Sequence, residues 1–294
     1  MTLVVIFPVC LEYAVWGKEE RVTLMARSLE LYEKKILKDQ EFPIQLIVNK
    51  CHSKGKYFDV HWHEQIELHY VVRGQTVIRL EQEEMEAKEG DLVIANSNVL
   101  HEGYCRGGEM ETMVAIFDME AFSREFADKN IIFSPLISGD PEISKIMMQV
   151  YEEYRRKEIG YRLVCKGELL KLVTYLARNN ALEMLSEEDV LKRRKKLERL
   201  NTVYQYIEKH YTEAVTNSEL AELVHLSEGR FCHIFKESTG MAPLQYINEI
   251  RLNKAMNLLK KENFTATEAA GAVGFSDYNN FGRMFRRYFG CTPL

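Results

Sequence analysis

Residues 216–227 read Thr216-Asn-Ser-Glu-Leu-Ala-Glu-Leu-Val-His-Leu-Ser227, and residues 265–276 read Thr265-Ala-Thr-Glu-Ala-Ala-Gly-Ala-Val-Gly-Phe-Ser276. The two stretches are 49 residues apart, and the spacing becomes 50 at the aromatic pairs that follow, Phe231/Phe235 and Phe281/Phe285. A fixed self-similarity of this kind is typical of one supersecondary unit used twice. One residue is therefore inserted near the start of the later helix.

Each copy predicts two short helices joined by a tight turn. Thr216-x-x-Glu219 and Thr265-x-x-Glu268 are capping boxes that open the first helix, and Ser227 or Ser276 can cap the second. Phe residues four apart then place one face of the second helix in a core. This is the helix-turn-helix pattern. A plain helical hairpin is the alternative for a single copy, but two copies with matched caps and aromatic pairs argue against it.

The second unit continues as Val273-Gly-Phe-Ser-Asp-Tyr-Asn-Asn-Phe-Gly-Arg-Met-Phe-Arg-Arg-Tyr-Phe-Gly290. Together with Leu220–Gly240 it resembles the two motifs of AraC/XylS-type transcription regulators, from about Leu200 to the end. The resemblance implies sequence-specific binding to double-stranded DNA. The family usually continues past the Pro-Leu pair into a final short helix, so the resemblance also predicts a clipped end at Leu294.

Length and charge divide the chain. Its 294 residues suggest two domains, and 46% apolar with 28% charged residues is typical of a folded protein. The net charge is −5, but residues 192–294 contain 16 Lys and Arg against 11 Asp and Glu, and the remainder contains 23 against 33. The basic end would be attracted to a polyanion.

The cysteines and the first residues of the sequence indicate the cellular compartment. The six cysteines show no C-x-x-C pattern, which predicts free thiols in a reducing cytoplasm. The apolar run Leu3–Leu11 is too short to span a bilayer and lacks the features of a signal peptide. It is either an edge strand or upstream sequence before a start at Met25. A cytoplasmic protein without a membrane partner is expected.

From about Phe42 the pattern predicts short β-branched strands at 44–48, 66–72, 76–80, 92–95 and 112–117. Gly74, Gly90 and Gly107-Gly108 provide turns between them. Many short antiparallel strands favour a small barrel or jelly roll.

Within these strands Gly55, His61-Trp-His63, Glu67 and Gly74 follow one another at the spacing of the first cupin motif, which they resemble at every defining position. The second motif, with Gly90-Asp91 and His101, is looser, because Asn96, Asn98 and Cys105 stand where the family usually has Pro, Gly and Asn. In a strand His61 and His63 point to the same side.

The candidate site is therefore His61, His63, Glu67 and His101. Three imidazoles and one carboxylate would suit a divalent transition metal such as Zn, Fe, Mn or Ni. The alternative is that these side chains hydrogen-bond a polyol without metal, so no cofactor is required. In either case the barrel interior is the expected effector site.

Two apolar stripes lie between the halves, one at Ile143, Ile146, Met147, Val150, Tyr151 and Tyr154 and one at Leu169, Leu170, Val173 and Leu176. They either pack on the barrel or form a dimer surface, as the resemblance implies. The acidic Glu187–Asp189 and basic Lys192–Lys196 then predict an exposed linker. Pro243 opens a connecting helix that would hold the two reading helices about 34 Å apart.

Subtracting the core leaves the DNA-reading positions. We expect Arg230, His233, Asn279, Asn280 and Arg283 to contact bases, because Arg and Asn pair with guanine and adenine edges. Lys236, Arg286 and Arg287 are expected on phosphates. Gly229 and Tyr278 are outward and are also expected at the DNA; the resemblance places Gly229, with Cys232, at contact positions of the family.

The sequence thus predicts a cupin-like β-barrel (1–125), a helical dimerisation and linker region (126–195), and an all-α DNA-binding domain with two helix-turn-helix motifs (196–294). The expected function is a transcription regulator, not an enzyme, whose barrel binds a small effector such as a sugar or related metabolite. A homodimer is expected, with RNA polymerase as a candidate partner. The alternatives are a metal-dependent cupin dioxygenase or isomerase with an accessory helical domain, and a sensor that binds only protein.

Overall fold

The structure is a computed structural model that describes residues 31–35, 37, 39–123, 125–126, 129–260 and 264–293. The predictions for Leu3–Leu11, Met25 and Leu294 lie outside these residues. Within them, no helix is long and apolar enough to cross a membrane, and no disulfide joins the cysteines.

The first half is built from antiparallel strands. A five-stranded sheet has the order β1-β8-β3-β6-β10, a four-stranded sheet has the order β2-β7-β4-β5, and β9 pairs with β11. The strands are β1 (Ile44–Cys51), β2 (Gly55–His61), β3 (Ile66–Arg73), β4 (Gln75–Leu80), β5 (Glu83–Lys88), β6 (Leu92–Ala95), β7 (His101–Cys105), β8 (Met110–Phe117), β9 (Ile131–Phe133), β10 (Leu136–Ile137) and β11 (Ala181–Met184). All five predicted strands are confirmed, and the two larger sheets face each other as the cupin-like barrel.

The five-stranded sheet is covered on both faces. Val71 and Val93 share a buried cluster with Ile78 of the four-stranded sheet, inside the barrel. Leu68 and Ile94 point the other way and pack against helices. Because both faces are buried, β3 is apolar or buried at nearly every position, as expected for a sheet without a solvent face.

Nine helices lie in the described residues: α1 (Met119–Phe122), α2 (Pro141–Arg156), α3 (Tyr161–Asn179), α4 (Glu187–His210), α5 (Asn217–Leu223), α6 (Glu228–Thr239), α7 (Pro243–Leu259), α8 (Ala266–Ala272) and α9 (Tyr278–Phe289). The two predicted stripes lie on α2 and α3, and Ile143, Val150 and Leu169 are buried against the five-stranded sheet. Of the two alternatives, packing on the barrel is therefore the one observed within the chain, and dimerisation through this region stays a prediction.

The predicted linker is part of a helix. Helix α4 runs without a break through the charged run, so the predicted boundary at 195/196 falls inside it. Lys192 pairs with Glu188 at 2.8 Å and Arg194 with Glu198 at 2.9 Å. Ion pairs between residues four apart stabilise a helix. Helix α4 therefore joins the barrel half to the DNA-binding half as one continuous element.

The two helix-turn-helix units are confirmed. Both capping boxes form, with Thr216 and Thr265 accepting from the backbone N–H of Glu219 and Glu268. Ser227 caps α6 as predicted. Ser276 does not cap α9, because the inserted residue, Asp277, takes that place and accepts from the N–H of Asn279.

The turn between the paired helices uses a left-handed residue in each unit. His225 has φ 55° in the first unit, and Gly274 has φ 89° at the matching place in the second. A Cβ at Gly274 would lie 2.3 Å from the carbonyl oxygen of Thr212. Left-handed backbone costs a non-glycine residue about 1–2 kcal/mol, and here a backbone contact adds to that cost.

Gly274→Ala is expected to lower the free energy of unfolding by about 2 kcal/mol or more, because strain and overpacking act together. Gly271→Ala in α8 is the matched control, since a Cβ there meets nothing within 4 Å. Urea denaturation followed by circular dichroism measures both variants. Equal stability of the two variants would contradict the strained turn.

Candidate metal centre and nucleic-acid interface

The candidate metal residues meet between the two sheets of the barrel. His61 ends β2 and lies opposite His101, the first residue of β7, in the four-stranded sheet. Glu67 comes from β3 of the facing sheet. His63 follows β2, and its ring lies 5.1 Å from that of His101. The predicted grouping is therefore found, with donors from both sheets.

Four ligand atoms, one from each of these residues, lie within 4.8 Å of one another. His63 Nε2 is 2.8 Å from Glu67 Oε2, and His101 Nε2 is 3.4 Å from the same oxygen. His63, Glu67 and His101 are buried, and the His61 side chain is 13% exposed. The cluster is thus compact and shielded from bulk water.

The backbone fixes the tautomers of the three rings. His61 Nδ1 lies 2.8 Å from the carbonyl oxygen of Asp59, His63 Nδ1 lies 3.0 Å from that of Gln65, and His101 Nδ1 lies 2.9 Å from that of Val99. A carbonyl oxygen only accepts, so each Nδ1 carries the proton and donates it. In a neutral ring Nε2 then presents a lone pair, the arrangement found in metal-binding histidines.

Burial keeps two of these rings neutral. Desolvation, with a smaller effect of His101, lowers the pKa of His61 to about 2. Desolvation also lowers the pKa of His101. For Glu67, burial alone would raise the pKa, but the surrounding histidines, His69 first, outweigh it and hold the pKa well below its ordinary value. Glu67 is therefore held as a carboxylate beside the neutral rings of His61 and His101.

Such a set of groups fits a cation. The Nε2 atoms of His63 and His101 both lie near Glu67 Oε2. His61 Nε2 is buried and makes no hydrogen bond. Three imidazoles with one carboxylate suit a transition metal, and their ligand atoms lie close enough together to share one ion. The residues present therefore fit the predicted metal.

Two neighbouring side chains were missed by sequence analysis. His69 is fully buried, and its Nε2 lies 3.1 Å from Glu67 Oε1 while neither ring nitrogen makes a hydrogen bond. Its position two residues after Glu67 on β3 was the available signal. The Glu33 carboxylate lies 3.1 Å from His61 Nε2, and no motif indicated it.

The helix-turn-helix units divide into core and surface as predicted. Phe231 and Phe235 are buried with ring centroids 5.7 Å apart, and Phe281 and Phe285 are buried at 5.4 Å. The predicted DNA-facing residues that are exposed are Gly229, Arg230, His233, Lys236, Tyr278, Asn279, Arg283, Arg286 and Arg287. Asn280 is half-buried, and its Oδ1 accepts from Arg283 at 3.0 Å.

The basic run lines a cleft beside the first reading helix. Lys192, Lys195, Lys196 and Arg199 recur on one face of α4, and with Arg230 of α6 they surround a space of about 470 Å³. Glu237 is the single acidic residue of the lining, and it pairs with Lys196 at 3.4 Å. The cleft therefore has an excess of positive charge next to predicted DNA-reading residues.

Two family models match the chain. The AraC-like ligand binding domain matches residues 50–173, and a helix-turn-helix domain matches residues 220–294. The first match contains the candidate metal residues, and the second contains both reading helices. Together the two matches cover more than half of the chain.

Known proteins resemble the chain over different lengths. The uncharacterized HTH-type transcriptional regulator YdeC of Bacillus subtilis is 24% identical over 252 residues, 81% of this chain and 85% of YdeC. The transcriptional activator RhaS of Escherichia fergusonii is 34% identical over 124 residues, 42% of each chain. The crystal structure of ToxT from Vibrio cholerae is 12% identical, covers 85% of this chain and 96% of ToxT, and aligns with a TM-score of 0.39.

The relatives in sequence are transcription regulators, which assigns this chain to regulators and not to enzymes. The ligand-binding match runs from the end of β1 into α3, and the helix-turn-helix match runs from within α5 through α9. Sequence motifs, fold and family models agree on both halves. The chain belongs to the AraC family of DNA-binding transcription regulators, with a cupin-like ligand-binding domain and a tandem helix-turn-helix domain.

Proposed function

We propose that the barrel of this regulator holds a divalent transition metal (Zn, Fe, Mn or Ni) through His61, His63, Glu67 and His101. The observation that carries the proposal is the convergence of ligand atoms: three Nδ1–H groups are committed to backbone carbonyls, and the remaining ring nitrogens meet one carboxylate with all four ligand atoms within 4.8 Å. When bound, the metal supplies a Lewis-acid centre for oxygen atoms of a ligand. A hydroxyl-rich effector such as a sugar or related metabolite suits it.

The chain's own residues would shape this site. Glu67, held as a carboxylate by its neighbours, balances the charge of the cation. His69 stacks on Phe58 at 5.4 Å and lies against the second oxygen of Glu67, which positions that carboxylate. The half-exposed Glu33 reaches His61 from the open side, where an effector would enter.

For DNA, we infer that α6 and α9 enter the major groove. Arg230, His233, Asn279, Asn280 and Arg283 contact bases, and Lys236, Arg286 and Arg287 contact phosphates; Gly229 and Tyr278 lie at the same surface. The basic cleft between α4 and α6 adds sequence-independent attraction to phosphate. A homodimer, cytoplasmic location and contact with RNA polymerase stay predictions.

Protein purified without a nickel column or chelator, then incubated with Zn²⁺ and desalted, is expected to contain about one metal ion per chain by elemental analysis. His61→Ala/His63→Ala removes two of the convergent nitrogens and is expected to lose the metal. His52→Ala, an exposed histidine outside the cluster, is the matched control and is expected to keep it.

Two outcomes would contradict the metal proposal. If the wild-type protein contains no metal after this treatment, the metal site is refuted. The same side chains would then bind an organic effector by hydrogen bonds alone. Equal metal content in wild type and the double variant would place the metal elsewhere, for example on cysteine.

Arg283→Ala is expected to weaken binding to a duplex selected by the wild type from a random-sequence library by about 1–3 kcal/mol, with little effect on unrelated DNA. Arg286→Ala is expected to weaken binding to both DNAs and to lower the salt slope by about one. Fluorescence anisotropy measures both affinities, with Arg156→Ala on α2 as the control. Wild-type affinity of the Arg283 variant for the selected duplex would refute the base contact.

A further inference from the structure

The backbone segments that carry the metal residues also carry two large apolar side chains. Trp62 lies between His61 and His63, and Leu100 directly precedes His101. Both are 2% exposed. Neighbouring residues of extended backbone point to opposite sides, so these two side chains leave the barrel where the histidines enter it.

Outside the barrel, Trp62 and Leu100 join the hydrophobic core of the first DNA-reading unit. Their buried cluster includes Leu197 and Leu200 of α4 and Phe231 of α6. The indole N–H of Trp62 has no hydrogen-bond acceptor among the described residues. The ring is therefore held by packing, in the cluster that contains residues of α4 and beside the ring of Tyr32, whose centroid is 4.7 Å away.

Polar contacts surround this junction. The backbone N–H of Tyr32 donates to Asn201 Oδ1 of α4 at 3.3 Å, and its hydroxyl donates to Glu64 at 2.9 Å. Glu64 also lies 3.7 Å from Arg194 of α4. At the other edge, Gln82 donates to the carbonyl oxygen of Glu237 at the end of α6. Polar contacts around Trp62 therefore connect the first half of the chain to both α4 and α6.

We propose that Trp62, assisted by Leu100, transmits occupancy of the metal site to the first helix-turn-helix unit. The inference rests on the proposed metal site. A cation that fixes the rings of His61, His63 and His101 fixes the same backbone that positions Trp62 and Leu100. Packed interiors convert small shifts into discrete rearrangements rather than absorbing them, so α4 and α6 change their arrangement with the metal.

Metal and DNA are then linked reciprocally: each changes the affinity of the protein for the other by the same factor. Couplings of this kind are typically 5–150-fold. For the wild type we expect the affinity for the selected duplex to change about tenfold when Zn²⁺ is added. A higher affinity for DNA in the presence of Zn²⁺ means that the metal favours the DNA-bound state, and a lower affinity means that it favours the free state.

The first test is spectroscopic. The chain has two tryptophans, so Trp16→Phe leaves Trp62 as the only one. Its emission is expected to change on titration with Zn²⁺ and to reach a plateau at one ion per chain. The same titration of the variant that also lacks His61 and His63 is expected to leave the emission unchanged.

The second test separates coupling from stability. Trp62→Ala is expected to keep its Zn²⁺ content, while the ratio of its affinities for the duplex with and without Zn²⁺ falls to about one. Phe122→Ala, which truncates a buried ring in the cluster between barrel and outer helices, is the matched control and is expected to keep the wild-type ratio. Trp62→Phe keeps a smaller aromatic ring, and its affinity ratio with and without Zn²⁺ is expected to lie between one and the wild-type value. This variant replaces Trp62→Ala if Trp62→Ala does not fold.

The outcomes distinguish the two proposals. A wild type without metal refutes the metal site, and the coupling with it. Metal bound by the wild type with no change in DNA affinity refutes the coupling alone. A wild-type ratio in both Trp62 variants shows that the signal takes another route and overturns the role of Trp62.

Discussion

One geometric constraint governs the barrel half: three imidazoles and one carboxylate meet between the two sheets, with their ligand atoms within 4.8 Å of one another. The constraint follows from the backbone, since the carbonyls of Asp59, Gln65 and Val99 hold the Nδ1 protons. Both sheets must keep their register for the four donors to meet, as the pairing of His61 with His101 shows. We propose that a small cation lies between these groups and that the alternation of side chains carries its effect outward to Trp62.

The barrel and its metal residues could be predicted because strand spacing and the His-x-His pattern are local in sequence. His69 and Glu33 could not be found in the same way. On β3, which is buried on both faces, His69 is one of many buried positions, and its place two residues after Glu67 was the one signal for the face that it takes. Glu33 reaches His61 through tertiary pairing of Leu31 and Glu33 with Trp62, which no sequence pattern specifies.

The DNA-binding half was predicted more completely, because caps and aromatic pairs are short-range signals repeated twice. Its two errors of detail have local causes. Asp277 replaced Ser276 as the cap because either side chain can accept from the first turn, and the inserted residue shifted the start of α9. The run Lys192–Lys196 suggested a linker by its charge, yet ion pairs to Glu188 and Glu198 support helix there. The apolar stripes of α2 and α3 did not show which surface covers them, and in the structure they pack against the five-stranded sheet.

X-ray absorption spectroscopy of the Zn²⁺-loaded protein tests the metal centre most directly, because it reports the ligand atoms themselves. Coordination by His61, His63, His101 and Glu67 predicts only nitrogen and oxygen neighbours at about 2.0–2.2 Å, with the multiple scattering of imidazole rings. Sulfur neighbours at about 2.3 Å would place the metal on cysteines. A shell of oxygen without imidazole scattering would equally contradict a metal centre in the barrel.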